Sequence, residues 1–305
     1  MKIRTLLGDI PPSDLGVTAC HEHLIWRVPE PYTNDDPDLG FDSVVAAVSE
    51  IQTFKSAGGN ALVEMTTAEI GRRPLDLLQI SQLTEIHIIA ASGHHKDKFS
   101  AKPLKGKSVD EIAEGIITDI TIGMDNTALK AGIIKAATSL NTATKSEKCV
   151  IQAVGISHRA TGAPVSTHTE AGTYAIEQVE LLIKAGVAPE KLLVGHLDRE
   201  LKAQTYLDLA KKGVYLGFDQ IGKSKYWSDA ARVDLIKMLV KAGYSRQILI
   251  STDSARKSAW QTYNSKTDGI AHLFVNFIPS LSSAGVSDDV IQLIMVDNPA
   301  CLLVF

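Results

Sequence analysis

Residues 164–196 read PVSTHTEAGTYAIEQVELLIKAGVAPEKLLVGH. The apolar run over 164–168 has the length of a strand and ends on His168. Residues 174–185 place apolar side chains at helical spacing, and 191–196 is a second short run ending on His196. A strand, a helix and a strand in that order make a unit whose strands run parallel, because a parallel pair needs a crossover. The fold then depends on how often the unit recurs. Upstream, strands are predicted over 17–24, 61–65, 86–91 and 131–135, and downstream over 214–218 and 247–251. Helical periodicity falls between them over 42–57, 75–83, 109–122, 147–160, 201–212 and 231–242, with closing helices over 270–282 and 290–303. Eight strands, each followed by a helix, predict a parallel sheet closed into a (β/α)8 TIM barrel. No composition shift or linker marks a second domain, so the expectation is a single barrel domain over 1–305.

A chain of 305 residues is of the size at which such barrels form one domain. Hydrophobic residues at 45% and charged residues at 22% describe an ordinary globular protein. The 31 basic and 35 acidic residues leave a net charge of -4, which offers no overall attraction for nucleic acid or an anionic membrane. A small molecule is the expected partner. Cys20, Cys149 and Cys301 are odd in number and widely spaced, which argues against a disulfide framework and for a reducing compartment. There is no apolar signal core and no membrane-spanning run, so the expected location is cytoplasmic. Residues 25–40, with Pro29, Pro31, Asn34, Asp35, Asp36 and Pro37, read as a long functional loop. Exposed apolar residues there and on the helices would allow a homodimer.

Active sites of such barrels lie at the C-terminal ends of the strands. Collected there are His21, His23, Lys135, His168, His196 and Asp253. In His21-Glu22-His23 side chains alternate, so the two imidazoles share a face while Glu22 points the other way. That is half a metal site. A lone His-x-His also arises by accident, with one ring exposed and the other packed; recurrence of ligand-type residues at four later strand ends is what favours a metal. His94 and His95 also fall at the barrel mouth, with no role assigned, whereas His87, His158 and His272 read as packed or solvated. Lys135 closes an apolar strand. It either snorkels to solvent or is desolvated, which favours the neutral, nucleophilic amine. Asp253 is either a ligand or the cap of a following helix.

Taken in order, His21-Glu22-His23, Gly132-Ile133-Ile134-Lys135-Ala136-Ala137-Thr138, Ser166-Thr167-His168-Thr169, Gly195-His196 and Ser251-Thr252-Asp253 resemble the metal motifs of the phosphotriesterase family of the amidohydrolase superfamily. The resemblance covers essentially the whole chain. It implies an amidohydrolase-type barrel holding two divalent metal ions, typically zinc. By position, His21, His23 and Asp253 would hold the more buried ion, His168 and His196 the more exposed one, and a carbamate on Lys135 would bridge both. It implies a hydrolase as well: cations about 3.5 to 4 Å apart share a hydroxide while the exposed ion polarises the substrate oxygen. Asp253 would then be catalytic, taking the proton during attack.

Lys223, Lys225, Arg256 and Lys257 put four cations on the loops after the seventh and eighth strands, the usual phosphate-binding place in this fold. They suit a phosphate monoester, or they are solvated surface charge. Segments 218–226 and 253–257 look most like the branch of phosphotriesterase-like lactonases acting on phosphorylated sugar lactones, which implies that Lys225 and Arg256 hold the substrate phosphate. Arg199 and Asp219 match positions near the pocket without an assigned role. Two departures bear on the substrate: Gly93-His94-His95 stands where many relatives carry aromatics, and Ala259 where an aromatic is common. Competing expectations are a phosphotriesterase or acyl-homoserine lactonase, which would want an apolar pocket, and a catalytically silent metal-binding barrel.

Overall fold

The strand residues are buried on both faces, as a parallel sheet sheathed by helices requires. The computed structural model describes residues 1–27, 29 and 36–305. A hairpin of β1 (Ile3–Thr5) and β2 (Gly8–Ile10) precedes the barrel. The barrel strands are β3 (Thr18–Glu22), β4 (Ala61–Glu64), β5 (His87–Gly93), β6 (Ile133–Thr138), β7 (Val165–Thr169), β8 (Leu192–Gly195), β9 (Tyr215–Phe218) and β10 (Ile248–Ile250). They pair in sequence order, all parallel, as the nearly closed wall of a (β/α)8 barrel. Helices α1 (Val44–Ser56), α2 (Pro74–Thr84), α3 (Asp97–Leu104), α4 (Val109–Thr121), α5 (Lys145–Thr161), α6 (Ala175–Ala185), α7 (Ala203–Lys211) and α8 (Asp229–Lys241) alternate with them. The chain closes with α9 (Ile278–Ser283), α10 (Asp288–Gln292) and α11 (Asn298–Leu303). No helix among the described residues is long and apolar enough to cross a membrane.

Local sequence explains the sheath. Capping boxes at Ser108/Glu111 and Thr144/Glu147 start α4 and α5, and α4 turns Ile112, Ala113, Ile116 and Ile120 inward. Two elements differ from the sequence expectation. The hairpin strands are too short to show a period, and α3, DKFSAKPL, is polar and contains Pro103. Pro31, Asn34 and Asp35 of the predicted long loop lie outside the described residues; its later part packs back on the barrel through bridges Trp26–Phe41 and Leu39–Arg256.

Three features aim the site. Inside the barrel, Ile3 and Leu303 pack with Ala61, Val63, Ile89 and Ile133, so both chain ends help fill the N-terminal end. In β3 the register slips between Ala19 and Glu22, three steps against two on β4. Such a bulge re-aims a strand end: Cys20 joins the interior with Leu193, Tyr215 and Leu249, and His21 follows it inward. Finally, β6 runs on to Thr138, so Lys135 sits mid-strand, not at the strand end as expected, on the same inward alternation as Ile133. Its register partner is Gly93, with φ +84°. A Cβ there would meet the Lys135 carbonyl oxygen at 2.1 Å. Gly93→Ala should therefore lower stability by upwards of about 2 kcal/mol, read as a drop in the urea midpoint with unchanged slope.

Candidate active site

Four histidines meet at the C-terminal mouth. Ring centroids are 5.8 Å apart for His21–His23, 4.7 Å for His21–His196 and 4.5 Å for His168–His196. Their second-row partners decide which nitrogen is left free. The Thr66 hydroxyl donates to Glu64 Oε1 (2.6 Å) and so accepts from His23 Nδ1 (2.7 Å), leaving the Nε2 lone pair 3.7 Å from Asp253 Oδ1. His196 Nδ1 donates to Asp219 Oδ1 (2.8 Å), and His168 Nε2 to Glu170 Oε2 (3.1 Å). His23 and His168, both lowered by burial, thus each keep one unprotonated nitrogen; for His196 burial works against the charged ring, yet Asp219 beside it raises the pKa above the ordinary imidazole value. A histidine tied at one nitrogen to a carboxylate or its relay is the arrangement found around metal ligands.

His21 supplies the sharper test of whether a metal fits. It is 1% exposed, and neither ring nitrogen has a hydrogen-bond partner; Nδ1 comes only to 3.4 Å from Asp219 Oδ2. Buried polar atoms are rarely left unsatisfied without a reason. Ligand atoms of His21, His23 and Asp253 lie within 4.8 Å of one another, as do those of His21, His196 and Asp219. The residues present fit a divalent cation. Burial lowers the pKa of His21 and of His168 to about 3, keeping both rings neutral and able to ligate.

Lys135 is 1% exposed, donates to the Met65 carbonyl (2.9 Å), and is pulled by burial from 10.5 to about 8, so a minor fraction is neutral amine at neutral pH, far more than for a free lysine. It does not snorkel out. Asp253 is no helix cap either. Its φ is +45°, its N–H donates to the His21 carbonyl (3.1 Å), and the next helical turn begins only at Lys257. Its Oδ2 accepts from Gln220 Nε2 (2.8 Å) and Lys223 Nζ (2.8 Å). Burial works against the carboxylate, yet Lys223 and the histidines hold it well below the usual range.

A cleft of about 390 Å³ opens over these groups, with His168, His196 and Asp253 at its floor and Arg199, Lys223, Lys225 and Arg256 around it. The four predicted loop cations divide. Lys225 is exposed, 4.9 Å from the Tyr226 ring whose centroid Arg199 approaches at 4.0 Å. Arg256 also faces the cleft but leans on Asp36 (2.6 Å). Lys223 turns inward to Asp253, and Lys257 turns outward to the Pro37 carbonyl (3.3 Å). Of the unassigned mouth histidines, His95 comes within 4.6 Å of the His168 ring, and His94 faces Glu69 (3.4 Å).

Sequence reasoning missed the groups that hold the ligands: Glu64, Thr66 and Glu170, and the role of Asp219. One signal was available, an acid closing the otherwise apolar run Ala61-Leu62-Val63-Glu64. Behind Asp219, buried Asp198 accepts from the Gln220 N–H (3.0 Å) and pairs with buried Arg232 (2.7 Å).

Residues 1–303 match the model of the Phosphotriesterase family. The chain belongs to that family. Phosphotriesterase-family members are hydrolases, and the enzyme class of this chain follows. A phospho-furanose lactonase of Mycoplasmopsis synoviae is 33% identical over 323 residues, covering 99% of this chain and 91% of its own. An N-acetyltaurine hydrolase of Xenopus tropicalis is 29% identical, over 100% of this chain and 98% of its own. The crystal structure of a lactonase from Listeria monocytogenes superposes with a TM-score of 0.94 at 33% identity, over 100% of this chain and 99% of that one.

Proposed function

We propose that this phosphotriesterase-family hydrolase is a binuclear metal-dependent lactonase that opens a phosphorylated sugar lactone. The observation that carries the substrate is the cleft: Lys225 and Arg256 line its outer part while Asp253, His168 and His196 lie at its floor. His21, His23 and Asp253 would hold one divalent ion, His168 and His196 the other, with carboxylated Lys135 between them; zinc suits this nitrogen and oxygen donor set. Paired ions supply Lewis acidity and a water that ionises near neutral pH. The rest belongs to the chain. Lys225 and Arg256 bind the phosphate and so fix the lactone carbonyl over the floor. Asp253, ionised beside Lys223, takes the proton of the attacking water and returns it to the ring oxygen that leaves as a hydroxyl. The acyl carbon keeps the new oxygen, giving a hydroxy acid. In this reading residues 1–305 act as one domain in the cytoplasm.

A second reading rests on the N-acetyltaurine hydrolase relative, since N-acetyltaurine carries a sulfonate that the same cations would bind. An apolar phosphotriester or acyl-homoserine lactone gains nothing from these charges. The test is turnover of phosphorylated sugar lactones, the same lactones without phosphate, N-acetyltaurine and an aryl phosphotriester, by wild type and Arg256→Ala. The expected outcome is preference for the phosphorylated lactones, with Arg256→Ala raising their KM about 10- to 100-fold at little cost in kcat, the loss of a charge-assisted hydrogen bond. Preference for N-acetyltaurine favours the second reading, and preference for unphosphorylated lactones or the triester refutes the phosphate subsite.

A further inference from the structure

Glu22 lies between two residues of the metal-type site, faces away from it, and is fully buried. Its carboxylate is not idle. Oε1 accepts from the Ser251 hydroxyl (2.7 Å), the Thr252 N–H (2.7 Å) and the Thr252 hydroxyl (2.8 Å), and Oε2 accepts from the Ser254 N–H (2.9 Å). All four donors belong to the segment that follows β10 and carries Asp253. This is also where the barrel wall is weakest. Among the described residues β3 and β10 are the two ends of the strand order, with no ladder between them. Isolated bonds bridge the gap instead: the His21 N–H donates to the Ser251 hydroxyl (2.9 Å), and the Asp253 backbone N–H to the His21 backbone carbonyl (3.1 Å). Asp253 meanwhile sits at φ +45°, a left-handed conformation that needs its flanking residues held. Glu22 grips the residues on both sides of it, Thr252 and Ser254.

We propose that Glu22 is a positioning residue that closes the β3–β10 seam and holds Asp253 over the site in its left-handed conformation. The His21–Asp253 spacing is then set from outside the barrel wall, through one carboxylate with four donors. The inference rests on the proposed role of Asp253. Glu22→Gln is the discriminating change. A glutamine that keeps its oxygen toward the three donors at Oε1 must turn its NH2 against the Ser254 N–H, so the residue after Asp253 is pushed away while side-chain volume is kept.

The experiment compares wild type, Glu22→Gln, Ser251→Ala and Leu239→Ala, the last a core truncation in α8 that lowers stability away from the site. Each is loaded with cobalt(II), and visible absorption, kcat and KM are measured; amide exchange at Ser254 is followed without metal. For Glu22→Gln the expected results are an altered cobalt spectrum, kcat about 10- to 100-fold lower at unchanged KM, and faster exchange at Ser254, as a displaced base requires. Ser251→Ala gives a smaller loss in kcat of the same kind, and covers the case in which Glu22→Gln fails to fold. Leu239→Ala, at equal or greater loss of Tm, leaves spectrum and kcat unchanged. If kcat in the Glu22 and Ser251 variants follows Tm as in Leu239→Ala, or the spectrum matches wild type, the inference is overturned. Wild-type protein that takes up no cobalt refutes the metal reading instead, and Ser254 exchange then decides for or against Glu22 alone.

Discussion

Lys135→Ala is expected to lose the pair of metal ions and to lower kcat/KM at least about 10³-fold, well beyond the effect of losing an outer hydrogen bond to a ligand. Lys135 is buried inside the barrel wall, with the Met65 carbonyl as its hydrogen-bond partner, and burial brings its pKa to about 8. Keeping an ammonium there is costly, and an amine that is partly neutral is available to add carbon dioxide. An anionic carbamate would answer both facts: it would remove the buried positive charge and would supply a donor to the proposed pair of ions. Alanine removes that donor and also the costly charge, so the folded state should survive with a modest loss of Tm. Metal content, kcat and Tm measured on the same sample separate the effects. Full metal content with unchanged kcat would show that the lysine has no part in the site.

The second large effect is expected for Asp253→Asn, with kcat lower by about 10²- to 10⁴-fold, the range for losing a general base, and a much smaller change in KM. Asparagine keeps the size of the side chain and one ligating oxygen. It cannot take a proton at the position facing His23, and it leaves Lys223, 2.8 Å away, without its counter-charge. Lys225 and Arg256, proposed to bind the phosphate, are separate groups, so binding should be spared. Steady-state kinetics alongside zinc content make the check. A variant with normal zinc and normal kcat would remove Asp253 from the proton transfer.

The barrel was legible because each βα unit announces itself locally: apolar runs the length of a strand, helical periodicity after each, and ligand-type residues punctuating the strand ends. The ordered motifs that carry the family resemblance were legible for the same reason, being short and contiguous. What escaped was everything set by neighbours distant in sequence. The bulge at Cys20-His21 appears only in the pairing of β3 with β4. Glu64 and Thr66 hold His23 from 41 and 43 positions away, and Asp219 reaches His196 across 23. The reach of the loop cations was equally hidden: Lys223 and Lys225 are two residues apart, yet one faces Asp253 and the other the outer cleft, because the turn after Gly222 separates them. Strand ends escaped too. Lys135 looked terminal because a charge interrupts the apolar run there, whereas β6 continues through Ala136 and Ala137, which pack in the wall.

Zinc titration of the metal-free wild-type protein in bicarbonate, with kcat on a phosphorylated sugar lactone followed at each addition, tests the central claim most directly. The account predicts that turnover keeps rising until a second equivalent per chain is bound and stays flat beyond it. Full turnover reached with a single equivalent, or turnover that needs no metal, would contradict it.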